Sequence, residues 1–252
     1  MSAPARRLAE LRVAAMLLTR LPMGRLAGHV PTLAEARWAY PLVGAGIGVL
    51  MWAACAGAAA LGLPPGISAL LAVAAGVVVT GGLHEDGLAD LADGFGGGRD
   101  RARKLEIMRD SRIGSYGVLA LAIVLGLKVQ AMAGVAGSAP PVWPFVALAA
   151  GSRFAMLAVL EALPPARADG LGRAAGERGG WRLWAGLAVA LLAVVPLGFA
   201  APGFLAAMGL AGLVMAALAK RQIGGQTGDV LGAVQQVSDC AGWLAALLLL
   251  GA

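Results

Sequence analysis

The sequence predicts an all-α fold: a polytopic integral membrane protein of about seven transmembrane helices with a short N-terminal interfacial helix, in a single transmembrane domain over residues 1–252. Three observations predict it. The chain is 59% hydrophobic and 13% charged, with a mean hydropathy of +0.79. Soluble domains are roughly 45–50% apolar and about 25% charged, so this chain lacks the polar surface to cover itself in water. Its apolar residues also come in runs long enough to cross a bilayer, which takes about 20 residues. Finally, its basic residues cluster at the ends of alternate runs.

In chain order, residues 6–21, RRLAELRVAAMLLTRL, carry periodic Arg on an apolar background and read as a helix lying in the membrane interface. The predicted spans are 40–61, 65–83, 114–135, 142–162, 181–200, 202–219 and 229–251. GAGIG at 44–48 offers a small-residue face for close helix packing, not a dinucleotide fingerprint, since no strand precedes it. APG at 201–203 makes the fifth and sixth spans a tight helical hairpin. The charged segment 99–112 is expected at the membrane surface.

Orientation follows from charge. With these spans, Arg6 to Arg37, Arg99 to Arg112, Arg167 to Arg182 and Lys220–Arg221 all fall on one side, and of the 20 Lys and Arg only Lys128 and Arg153 lie in the interior of a span, away from its first residues. The positive-inside rule makes that side, and the N-terminus, cytoplasmic. The net charge of +6 is spread over several loops with few aromatics between them, which excludes a nucleic-acid groove. Cys55 and Cys240 sit in apolar runs and read as reduced, buried hydrophobes. No cleavable leader is expected, because Arg20 interrupts the short apolar stretch 13–18.

The chemistry concentrates in GGLHEDGLADLADGFGGGRD, residues 81–100. Asp86, Asp90 and Asp93 stand at i, i+4, i+7 and share one face of a helix, with Leu88 and Leu91 opposite. Like charges at this spacing cost about 0.2–0.5 kcal/mol per pair, and Gly87 inside the helix costs up to about 1 kcal/mol more. A cation is expected to offset both. Oxygen ligands without Cys suit Mg²⁺, Mn²⁺ or Ca²⁺, and Mg²⁺ completes its shell with substrate phosphates. The glycines and basic residues that follow favour a metal–diphosphate site over a solvated acidic surface.

Other polar residues extend this reading. His84 lies off the acidic face and suits a local hydrogen bond. Arg153 lies about 13 Å inside span four, where a charge is costly and marks phosphate or Asp pairing. Lys128 is expected to snorkel outward from span three. Asp229, Gly232, Gln235, Gln236 and Asp239 form a polar strip along span seven that must face protein or a wet cavity. Asp110, Ser111 and Arg112 at the mouth of span three suit phosphate recognition.

GGLHEDGLADLADGFGG, EIMRDSRIGSYG (106–117) and GGQTGDVLGA (224–233), in this order and separation, resemble the cobalamin synthase family, the adenosylcobinamide-GDP ribazoletransferases. LLTRLP, YPLVGAGIG and PPARADGLG (164–172) resemble that family too, so the likeness spans nearly the whole chain. One departure is QQVSDC, where Glu is expected at Asp239; the carboxylate is kept but its reach is shorter. The resemblance implies a Mg²⁺-dependent last step of cobalamin assembly at the inner membrane, joining adenosylcobinamide-GDP to α-ribazole or its 5′-phosphate with release of GMP. It assigns Asp86, Asp90 and Asp93 to the metal, with Glu85 as an alternate ligand. Arg99, Arg109 and Arg112 would steady the phosphates, with Ser111, Arg153 and Thr227 also on the substrate. Asp229 or Asp110 would orient or deprotonate the attacking hydroxyl, and Asp239 is a third catalytic candidate. A lipid bilayer is the expected environment, nucleic acid is not a partner, and a homo-oligomer stays open.

Two alternatives remain. A CDP-alcohol phosphotransferase begins its acidic motif as DLADGFGGGR does, but the Ala-Arg pair is out of register and the later paired Asp residues are missing. A cation-coupled transporter would use Asp239 and Arg153, but no repeated halves are visible.

Overall fold

The structure is a computed structural model that describes residues 3–26, 28–168, 170 and 180–250. Arg173, Arg178 and the motif positions Asp169, Leu171 and Gly172 lie outside the described residues. The helices are α1 (Ala3–Leu18), a short α2 (Leu33–Ala36), α3 (Tyr40–Ala60), α4 (Pro65–Thr80), α5 (Leu83–Gly97), α6 (Arg101–Ile107), α7 (Ser115–Ala136), α8 (Val142–Ala162), α9 (Trp181–Val194), α10 (Ala201–Ile223) and α11 (Gly228–Leu250). Among the described residues the only β pairing is one isolated bridge, Pro165 with Gln226.

Five helical stretches are long and apolar enough to cross a membrane: Leu33–Ala60, Ser115–Ala136, Val142–Ala162, Trp181–Ile223 and Gly228–Leu250. A bent pair, α4 with α5, makes a sixth if counted as one span. Counted as continuous stretches, these do not confirm the expected count of seven, for two reasons. The second predicted span ends early: α4 has 16 residues and stops at Thr80. The fifth and sixth form one stretch of 43 residues, broken at Gly198 (φ 57°, ψ −130°), three residues before the expected turn. That stretch does double back. In a straight helix Gly186 and Gly212 would stand about 39 Å apart, yet they lie against Leu157 and Ala155, near neighbours on α8.

Burial identifies the centre. In α8, 72% of the apolar window is buried, and in α11 56%, against 17% in α7 and 22% in the α9–α10 stretch. Leu119, Ile123, Leu192, Leu210 and Leu213 are exposed on those outer helices, as a lipid-facing surface requires. The small-residue face at Gly44 and Gly48 packs as expected: a Cβ at either would collide with a carbonyl of α8, at Ala149 and Phe145.

α1 is not a free amphipathic ribbon. Its Glu10 is fully buried and accepts from Arg7 at 2.5 Å and from the Trp38 indole at 2.7 Å. Arg7 in turn stacks on Trp181 of α9, 4.3 Å from the ring centroid. These contacts fasten α1 across the same end of the bundle at which α5 begins.

Candidate active site

The site is built by a bend and a crossing. α4 ends in two glycines with left-handed backbone, Gly81 (φ 69°) and Gly82 (φ 73°), which turn α5 by 91° from α4. α5 then crosses α11 with backbones nearly touching: a Cβ on Gly87 would come within 3.0 Å of the Asp229 carbonyl oxygen. The cost of Gly87 in a helix is thus offset by close packing, where the sequence suggested a cation alone. Leu88 and Leu91 are buried beneath, which leaves Asp86 exposed and Asp90 half-buried on the other face.

The crossing sets Asp229, in the first turn of α11, beside Asp86; both line one cavity of about 120 Å³. The Thr227 hydroxyl accepts from the Val230 amide at 3.3 Å and donates to Asp229 Oδ2 at 3.1 Å. The Pro165–Gln226 bridge, with Ala166 N–H to Gln226 O and Gln226 N–H to Pro164 O both at 2.8 Å, ties the 164–168 loop to the start of α11. That loop carries Arg167, whose guanidinium reaches Asp229 Oδ2 at 3.5 Å and donates to the Leu105 carbonyl at 3.0 Å. Arg109 and Arg167 line an open cleft of about 530 Å³ next to this carboxylate, and Arg109 acts on Asp229 through space.

These carboxylates are short of positive charge. Partial burial, then the charges of Asp86, Asp229 and Asp93, push the Asp90 carboxyl up to about 7, with Arg167 opposing. Among the described residues, no three His, Cys, Asp or Glu side chains converge closely enough to hold a metal unaided.

The remaining predicted residues are not brought together here. Asp93 is buried, and both its oxygens accept main-chain N–H groups at the start of α7, Gly114 at 2.7 Å and Gly117 at 2.9 Å. It is the anion at that helix N-terminus. Asp110 pairs with Arg112 at 2.7 Å in an exposed loop with Ser111, and the bonds from Arg112 hold its carboxyl down at about 2. Arg99 is exposed beyond the end of α5.

Glu85, Arg153 and Asp239 belong to a second polar cluster, deep in the bundle, with His84, Lys128, Gln235 and Gln236 around a void of about 20 Å³. Lys128 does not snorkel outward: it is buried and pairs with Asp239 at 2.5 Å, because α11 presents that carboxylate to it. Gln236 donates to Glu85 at 2.8 Å, Gln235 to Ser152 at 3.1 Å, and Arg153 to the Ala149 carbonyl at 3.0 Å. His84 is buried, and its Nε2 has no partner among the described residues, so the expected local hydrogen bond is not formed there.

Sequence reasoning missed Arg167 as a site residue. Its signal was there, in the PPARADGLG motif, but only the bridge to Gln226 shows which carboxylate it meets.

Fold and site together define a polytopic membrane protein whose acidic helix meets two guanidiniums at one end of the bundle. The chain belongs to the cobalamin-5-phosphate synthase family, whose model matches residues 10–247. It is 44% identical to an adenosylcobinamide-GDP ribazoletransferase of Bradyrhizobium diazoefficiens, over 92% of this chain and 90% of that one. Relatives of the same name from Mesorhizobium japonicum (43%, over 98% and 96%) and Azorhizobium caulinodans (46%, over 93% of each) are equally similar. No solved structure matches the chain significantly.

Proposed function

We propose that this chain is an adenosylcobinamide-GDP ribazoletransferase, dependent on Mg²⁺, seated in the inner membrane with its N-terminus and acidic site at the cytoplasmic face. One observation carries the reading: Asp86, Asp90 and Asp229 crowd together at the edge of a cleft lined by Arg109 and Arg167. Carboxylates that destabilise one another beside two guanidiniums suit a divalent ion plus a diphosphate. A hard cation fits the donor set, which is all oxygen and too sparse to close a shell without phosphate oxygens. The gathering of basic residues at this end supports the orientation.

In this reading Asp86 and Asp90 hold the Mg²⁺, which when bound neutralises charge on the diphosphate. Arg109 and Arg167 bind the phosphates of the leaving nucleotide. A hydroxyl oxygen of α-ribazole, or of its 5′-phosphate, forms a bond to the cobinamide-linked phosphorus. The bond from that phosphorus to GMP breaks, and GMP leaves with the electron pair. The hydroxyl proton goes to Asp229. Thr227 and Arg167 fix Oδ2 of that carboxylate, and Oδ1 carries no hydrogen bond among the described residues.

The test is direct. Purified protein given adenosylcobinamide-GDP, α-ribazole and Mg²⁺ releases GMP. Release of CMP from a CDP-alcohol, with no GMP from the corrinoid substrate, overturns the assignment in favour of a CDP-alcohol phosphotransferase.

A further inference from the structure

The acidic row is flanked by two cavities. On the Asp229 side lies the cleft with Arg109 and Arg167. Beside Asp86 a groove of about 700 Å³ runs beneath the end of α1, with Arg20 at its rim, Met16, Leu17, Ile113 and Leu121 in its walls, and Glu85 and Asp86 also lining it.

Arg20 is placed there by main chain. Its amide donates to the Val79 carbonyl at 2.7 Å, at the end of α4, and its guanidinium lies across Gly81, meeting that carbonyl only at 3.4 Å. A Cβ on Gly81 would collide with the Arg20 side chain, so this arrangement needs the glycine. Arg20 is exposed and has no carboxylate partner among the described residues. It is a cation held at the α4–α5 bend with most of its donors unused.

From this we infer that the groove beneath α1 is the acceptor site, binding the aromatic base of α-ribazole on its apolar wall and the 5′-phosphate of the phosphorylated acceptor on Arg20. The inference rests on the transferase reading above. Displacement at phosphorus puts the attacking and leaving oxygens in line, on opposite sides, and two separate cavities, one lined by Asp86 and the other by the Arg167 that reaches Asp229, offer one place for each. Charge decides which is which. The donor's diphosphate carries at least two negative charges and takes the cleft with two guanidiniums. The acceptor carries an aromatic base and one phosphate, and takes the groove with the apolar wall, where Arg20 is the one guanidinium and Asp86 is the carboxylate assigned to the ion in the reading above, with Glu85 tied to Gln236.

The experiment is equilibrium binding of α-ribazole 5′-phosphate and of α-ribazole to the full-length protein in detergent, with acceptor KM values from turnover. Arg20→Ala is expected to lose about tenfold or more in affinity for the phosphorylated acceptor, the loss of a charge-assisted pair, and less than about twofold for α-ribazole. Its KM for adenosylcobinamide-GDP stays at the wild-type value, and Arg20→Lys keeps most of the phosphate affinity. The comparison of two ligands within one variant controls for folding. Equal loss of both acceptors, unchanged binding of both, or a raised KM for adenosylcobinamide-GDP overturns the site. A wild-type protein that releases no GMP sinks the transferase reading and the site with it; failure of the selective loss in an active protein sinks the site alone.

Discussion

Gly87 of α5 and Gly232 of α11 face each other so closely that a Cβ on either would come within 3.3 Å of the other's Cα. This contact sets the distance between two carboxylates that are 143 residues apart in the chain, since Asp86 precedes the first glycine and Asp229 lies one turn before the second. Gly232→Val should therefore separate Asp86 from Asp229 without touching either. A displacement of about 1 Å at a reacting centre costs roughly a hundredfold in rate. The expected outcome is a fall of that order in kcat for GMP release, with membrane insertion retained. Wild-type turnover in Gly232→Val would show that the crossing does not set the site.

The ion is tested at Asp90. Partial burial and three neighbouring carboxylates disfavour its charge, which a bound cation would reverse. Asp90→Asn is expected to cut GMP release by at least about a hundredfold, with the chain still in the membrane. Stripping the wild-type protein with a chelator should abolish release and Mg²⁺ should restore it, whereas Asp90→Asn should stay silent after the same addition. Full turnover by Asp90→Asn removes the metal assignment.

Asp93 separates structure from chemistry. Its two oxygens take the Gly114 and Gly117 amides, so Asp93→Ala leaves two donors at the start of α7 without their acceptor. Loss of such a cap costs about 0.5–2 kcal/mol. Thermal unfolding in detergent should move down accordingly, and the Mg²⁺ concentration for half-maximal GMP release should not change in the fraction that stays folded. A large rise in that concentration would restore Asp93 to the ion.

Much of this was legible before any coordinates. The apolar runs fixed the helices to within a few residues, and the i, i+4 pair Asp86 and Asp90 stands on one face with Leu88 and Leu91 beneath. Periodicity describes one helix at a time, so what it missed were partners. It grouped Asp93 with the stripe because the angle agrees, and could not show that α7 starts against it. It placed Lys128 by depth alone, while the carboxylate that holds it inside lies 111 residues further on. Gly81–Gly82 carried a local signal for a break, yet hydropathy ran the second span through it to residue 83.

The Lys128–Asp239 pair predicts a different signature from any residue of the site. Both side chains are buried, at 5% exposure each. Removing one partner leaves a lone charge, which costs about 3–5 kcal/mol, while replacing both by apolar groups is close to neutral. Lys128→Met alone should sharply lower the unfolding midpoint, and Lys128→Met with Asp239→Leu should recover most of it. GMP release should recover with stability in the double variant, because neither residue lines a cavity that holds Asp86 or Asp229. A stable double variant without activity would place Asp239 in the reaction.

The last prediction concerns pH. Asp110 is held down at about 2 by its bonds to Arg112, which is itself well exposed. A lowered carboxyl is ionised at every pH above that value, and whatever the pair contributes to stability is lost as pH falls from the ordinary 3.8 to about 2. Asp110 therefore changes charge nowhere in the range where a membrane enzyme can be assayed. It is also a poor proton acceptor, since a general base works best with a pKa near the operating pH. In the proposed mechanism it is Asp229, held between Thr227 and Arg167, that takes the proton. Asp110→Asn should leave both limbs of the pH–rate profile for GMP release where they are in wild type, and change kcat by less than about threefold. Asp229→Asn should abolish the acidic limb together with most of the rate. Loss of the acidic limb in Asp110→Asn, with Asp229→Asn retaining it, would exchange the two roles.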